Sequence, residues 1–147
     1  MSLWDWTLEA YARPGVAETC MALQDEYGQN TSFLLWAVWA EGPAPGALTE
    51  AARLGKAWDA QTLKPLREVR RTLKAALPPI DDGAREALRD DVKSAELRAE
   101  RVLMETFESL TDGRGGTPAL AALQAASRAW GVSAPDDALA RLAGALS

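Results

Sequence analysis

Phe33-Leu34-Leu35-Trp36-Ala37-Val38-Trp39-Ala40 is a run of eight apolar residues with two indoles and no polar face. A helix that is apolar all round has no side to offer to water, so other elements must enclose it. The run is far shorter than the roughly 20 apolar residues that cross a bilayer, and Glu41 and Gly42 close it at once. It therefore predicts a buried central helix near 32–41. Around that post stands an all-α, single-domain bundle of about seven or eight helices spanning 1–147.

Working outward toward the amino terminus, Gln29-Asn30-Thr31-Ser32 is a polar turn in which Thr31 or Ser32 suits the N-cap. Before it, Val16, Cys20, Leu23 and Tyr27 recur at helical spacing, and Gly28 ends that helix in the left-handed conformation glycine tolerates. Ser2 and Asp5 have the spacing of a capping box. Leu3, Trp4 and Leu8 carry the helix that follows until Pro14-Gly15 stops it.

Toward the carboxyl end, Gly42-Pro43-Ala44-Pro45-Gly46 reads as a surface loop, because prolines and glycines alternate through it. Ala47 to Trp58 resumes helix, and Pro65 predicts a kink or a restart near Thr62. Leu66, Val69, Leu73 and Leu77 form the stripe of a helix from Leu63 to Leu77, which Pro78-Pro79 terminates. Asp81 or Asp82 caps a long helix from about Ala84 to Leu110, roughly 40 Å at 1.5 Å per residue. Asp112-Gly113-Arg114-Gly115-Gly116 has neither a preceding strand nor a Gly-Lys-Ser/Thr element, so it reads as a linker rather than a phosphate cradle. Thr117 and Pro118 start a helix to Trp130, and a last one near 135–146 carries Leu139, Leu142 and Leu146. The order divides the domain into a core subdomain, 1–77, and a long helix with two short carboxy-terminal helices, 82–147. No strand-like alternation and no repeat of 20–50 residues interrupts it.

Composition removes whole classes of chemistry. The chain has no histidine, which excludes His-based triads and deprives zinc and carboxylate-bridged metal sites of their usual ligand. No metal, cofactor or catalytic constellation is expected, and the balance falls against an enzyme. Cys20 is the only cysteine; with no residue to pair with, it fits a reducing cytoplasm and suits a small core residue better than a nucleophile. Met-Ser-Leu-Trp-Asp shows no basic segment before an apolar one, so no secretory leader and no membrane span are expected. A net charge of −5 opposes general affinity for nucleic acid.

Against that acidic background, Lys64, Arg67, Arg71 and Lys74, with Arg70, occupy an arc of about 120° on one helix at 100° per residue. Arg forks suit carboxylate and phosphate oxygens, so the arc is a candidate face for an acidic or anionic protein surface. In the competing reading, these cations pair with Glu86, Asp90, Asp91, Glu96 and Glu100 on the next helix, or simply keep one face solvated. Six tryptophans stand at 4, 6, 36, 39, 58 and 130. Trp4 and Trp6 cannot share a helix face. Trp58 precedes the basic arc and makes a natural anchor for a partner, since interfaces centre on Trp and Arg.

Leu3-Trp4-Asp5, Tyr11, Gly15-Val16, Cys20, Leu23-Gln24, Gly28, Leu34-Leu35-Trp36, Trp39 and Trp58, followed by Pro65-Leu66-Arg67, Arg70-Arg71 and Lys74, carry a resemblance. Over Leu3 to Lys74 the chain resembles a small proteobacterial family of hypothetical proteins of unknown function. The resemblance implies a bacterial, soluble, cytoplasmic protein and transfers no activity. Taken together, the residues point to a non-enzymatic adaptor or regulator that binds a protein partner through Lys64, Arg67, Arg70, Arg71, Lys74 and Trp58. The alternative is a small-ligand binder or modest enzyme with a pocket walled by Trp36, Trp39 or Trp58. Self-association through the long helix is a further alternative.

Overall fold

Ser2 Oγ accepts the Asp5 N–H at 3.1 Å, and from that cap α1 runs over Leu3–Tyr11. The computed structural model describes all 147 residues and holds helices alone. After α1 come α2 (Val16–Tyr27), α3 (Thr31–Trp39), α4 (Pro45–Trp58), a π-helical turn (Asp59–Leu63) and α5 (Lys64–Thr72). The long α6 (Asp82–Ser109), α7 (Ala119–Trp130) and α8 (Asp136–Leu146) complete the chain. It is an all-α protein, and no helix is long and apolar enough to cross a membrane.

The apolar run is α3, and Ser32 through Ala37 are buried. Packed around it are α7, α6, α1, α2 and α4. Phe33, Trp36, Phe107 of α6 and Trp130 of α7 form an aromatic cluster with ring centroids 5.3–5.9 Å apart, the spacing at which tilted and edge-on rings attract. Gly55 lets α4 lie against that cluster, because a Cβ there would stand 3.0 Å from the Trp130 ring and 3.3 Å from Phe107. The Trp36 indole N–H donates to Thr111 Oγ1 at 2.8 Å, so the one polar atom of the most enclosed ring is satisfied.

Several boundaries differ from the sequence expectation, each for a local reason. The cap of α3 is Asn30, whose Oδ1 accepts the Phe33 N–H at 2.9 Å, and not Thr31 or Ser32. Ala40 and Glu41 lie beyond α3: the Glu41 N–H donates to Val38 O and the Gly42 N–H to Ala37 O, a Schellman closure with Glu41 at φ 55°. Helix α4 starts at Pro45, since a proline in the first turn loses no hydrogen bond. Thr117 is tied to the Glu41 carbonyl at 2.9 Å, which delays α7 to Ala119. The expected helix to Leu77 stops at Thr72. Past Leu73 the stripe has nothing to pack on: Leu77 is 68% exposed, and Arg85 of α6 takes the Leu73 carbonyl.

Trp36 is 0% exposed, and its ring fills the space between α3 and α6. Removing such a side chain costs about 3–5 kcal/mol, a large share of the roughly 5–15 kcal/mol that holds a domain together. Trp36→Ala is expected to lower unfolding free energy by that amount in urea melts followed by circular dichroism, whereas Trp58→Ala costs clearly less.

Candidate functional site

Pro65 has no N–H to give to the Gln61 carbonyl and its ring crowds that oxygen, so an unbroken α-helix cannot pass through it. The chain answers by widening one turn. The Lys64 N–H donates to Asp59 O, five residues back, and α4 continues through the π turn into α5 without a gap in helix. Such single π turns recur at functional sites in proteins. Beyond the turn, α5 packs on α6.

Between these elements lies a trough of about 310 Å³. Lys56, Asp59, Lys64 and Arg67 line it together with Glu100 of α6 and Trp130 of α7. Gly28, Gln29 and Asn30, and the first two residues of α3, Thr31 and Ser32, complete the lining. A second depression of about 360 Å³ continues along α5 and α6, sharing Gln24, Leu63, Arg67 and Glu100 and adding Arg70, Lys93, Glu96 and Leu97. Counted over both, five cations face three carboxylates.

The predicted basic residues differ in burial and pairing. Lys64 is exposed and loosely paired with Asp59 at 3.4 Å. Arg67 is half-buried and belongs to both depressions. Arg70 is committed inward: its Nε lies 2.6 Å from Glu96 Oε2, and its carbonyl accepts from Arg89 at 3.2 Å. Arg71 and Lys74 are exposed and lie outside the trough, Lys74 in the turn beyond α5. Trp58 does not line the trough; its indole N–H donates to Ala99 O at 2.9 Å. The tryptophan that lines the trough is Trp130, with Lys56 Nζ 5.4 Å from its ring centre.

Neither Trp36 nor Trp39 lines this trough; Trp36 is wholly inside the core. Lys56, Glu100, Trp130 and residues 28–32 were not singled out from sequence as members of one site. Lys56 precedes Lys64 by eight residues on an earlier helix, Trp130 comes from a distant one, and the packing of α4 on α7 and of α5 on α6 brings them to one trough. Arg85 was missed as well. It is 8% exposed and neutralises the carbonyl end of α5 by donating to Leu73 O while pairing with Asp82 at 2.8 Å.

Burial raises the Glu100 carboxyl above the usual carboxylate range; Arg67 pulls it back down in part, and Glu96 adds to the rise. Next to it, the Tyr11 hydroxyl is 3.5 Å from Thr31 Oγ1 and is pushed well above its ordinary value, chiefly by burial and then by Cys20. Cys20 itself is 2% exposed and pushed up to about 11, again by burial. It is therefore a thiol near neutral pH and not the thiolate a nucleophile needs.

The protein is all-helical, with a trough at a π turn where three cations meet two carboxylates. The sequence profile of the family described as Protein of unknown function (DUF2390) matches residues 2–107, from the cap of α1 to the last turn of α6. The chain belongs to that family. The match runs past Lys74 and takes in every residue of the trough except Trp130. No curated protein and no solved structure matches the chain.

A carboxyl whose pKa is raised by folding burdens the fold when ionised, and that burden is relieved as pH falls through the raised value. Glu100→Gln is expected to melt above the natural chain at pH 8, with the gap closing toward pH 4. A gap that widens on acidification contradicts the burial assigned to Glu100.

Proposed function

We propose that the protein is a non-enzymatic adaptor or regulator that takes an acidic, extended segment of another protein into the trough. Convergence of Lys56, Lys64 and Arg67 on one open groove carries this reading. Of the two predicted cations that reach the groove, Arg67 has no carboxylate within ion-pair distance and Lys64 holds its acid only at 3.4 Å. Both exchange water and weak internal contacts for a stronger acceptor at small loss. The lining is mostly polar and open to solvent, which suits a chain lying along it better than an apolar metabolite needing 70–90% enclosure. Lys and Arg forks would hold carboxylates while Trp130 supplies a flat apolar contact.

Acidic protein fits better than nucleic acid, because the chain's net −5 weakens the long-range attraction on which phosphate-backbone binding depends. A reducing bacterial cytoplasm suits the buried thiol of Cys20. Arg71 and Lys74 remain exposed on the far side of Arg70 and serve in this reading to steer an acidic partner rather than to hold it.

An array of acidic peptides, read by Trp130 fluorescence and anisotropy, tests the proposal. Binding is expected to weaken about tenfold or more in Lys64→Glu/Arg67→Glu and to fall with added salt. Arg71→Glu/Lys74→Glu should slow association while leaving dissociation nearly unchanged. Equal binding by the natural chain and Lys64→Glu/Arg67→Glu, with both folded by circular dichroism, contradicts the trough as the site.

A further inference from the structure

The exposed side of α6 carries a second surface, unrelated to the trough. Between Asp82 and Arg98 only Arg85 is buried. Arg85, Arg89 and Glu96 turn toward α5, as their hydrogen bonds to Leu73, Arg70 and the Arg70 side chain record. Lys93 and Leu97 line the polar depression. Roughly 160° round the helix from both, at 100° per residue, stands Ala95, and with it a stripe at seven-residue spacing: Leu88, Ala95 and Val102. All three are exposed, Leu88 by 51% and Val102 by 44%. Beside Val102, Trp58 and Leu54 help to line an apolar depression of about 210 Å³.

Apolar residues stand at equal distances on either side of Ala95. Leu88 lies seven residues before it and Val102 seven after, and the exposed Asp91 and Arg98 lie four before and three after. Neither Asp91 nor Arg98 has an ion-pair partner within its own chain. We propose that this face binds a second copy of the chain, with the two α6 helices antiparallel and crossing at Ala95. In that arrangement Leu88 of each copy enters the depression beside Val102 and Trp58 of the other. Asp91 of each copy meets Arg98 of the other, so both cross pairs attract. The small Ala95 side chains let the backbones approach, and a two-fold axis through them makes the contact close on itself instead of propagating. Charge complementarity selects the occupant: an unrelated helix has no reason to present the reversed order of the same two charges. On the opposite flank the trough stays open in both copies.

Sedimentation velocity on the full chain tests this, with circular dichroism to confirm folding. The natural chain is expected to be a dimer at about 50 µM. Asp91→Arg alone and Arg98→Asp alone, each of which sets like charges opposite one another, should weaken dimerisation about tenfold or more. The double variant Asp91→Arg/Arg98→Asp should restore it. Ala95→Cys should cross-link into a disulfide dimer on mild oxidation, whereas Ser94→Cys should not. A natural chain that is monomeric at about 200 µM, or a dimer indifferent to both single charge reversals, overturns the proposal. Neither result bears on peptide binding in the trough.

Discussion

A helix without a wet face is the constraint on which the rest of this structure depends. Burying Phe33, Leu34, Leu35 and Trp36 on all sides demands neighbours in every direction, and α1, α2, α4, α6 and α7 supply them. The aromatic contacts among Phe33, Trp36, Phe107 and Trp130 join three of those helices at one point. Because α6 meets the core through Ala99, Leu103, Met104 and Phe107, only its second half is taken up there. The first half is left to pair with α5, and both candidate interaction surfaces include residues of α6.

Charge is unevenly distributed over α5 and α6. One flank gathers Lys64, Arg67, Lys93, Glu96 and Glu100, while the other shows Leu88, Ala95 and Val102. Arg70 and Arg85 face neither ligand nor solvent in any large measure: they tie α5 to α6 through Glu96 and the Leu73 carbonyl. Losing Arg70 would leave Glu96, a mostly buried carboxylate, without its partner, which is more damaging than losing an exposed cation. The basic arc thus splits into structural and available members, and the half-buried Arg67 lies at the division.

Helix identity was legible from sequence because the signals were local. Ser2, Gly28 and Asp81 act at their own turns as their chemistry dictates, and an eight-residue apolar run has one sensible environment. The π turn was not legible. Pro65 announced an irregularity, yet whether a chain kinks, restarts or widens its turn depends on what α5 must reach. The trough was half legible for the same reason. Lys64 and Arg67 were visible as cations, but Lys56, Glu100 and Trp130 join them only through the packing of four separate helices. Trp58 is close to the arc in sequence, but its N–H donates to the Ala99 carbonyl and it does not line the trough.

Unequal burial also implies unequal local stability, since elements with few buried groups open more readily than those at the centre. None of the α5 residues is buried, whereas six of the nine in α3 are. Native-state amide hydrogen exchange resolved by residue tests the central claim most directly. The account predicts that Phe33 to Trp39 exchange only through global unfolding, at the free energy obtained from denaturant melts, while α5 and the first half of α6 exchange through a smaller, local opening. Exchange of α3 at a free energy no higher than that of α5 would contradict it.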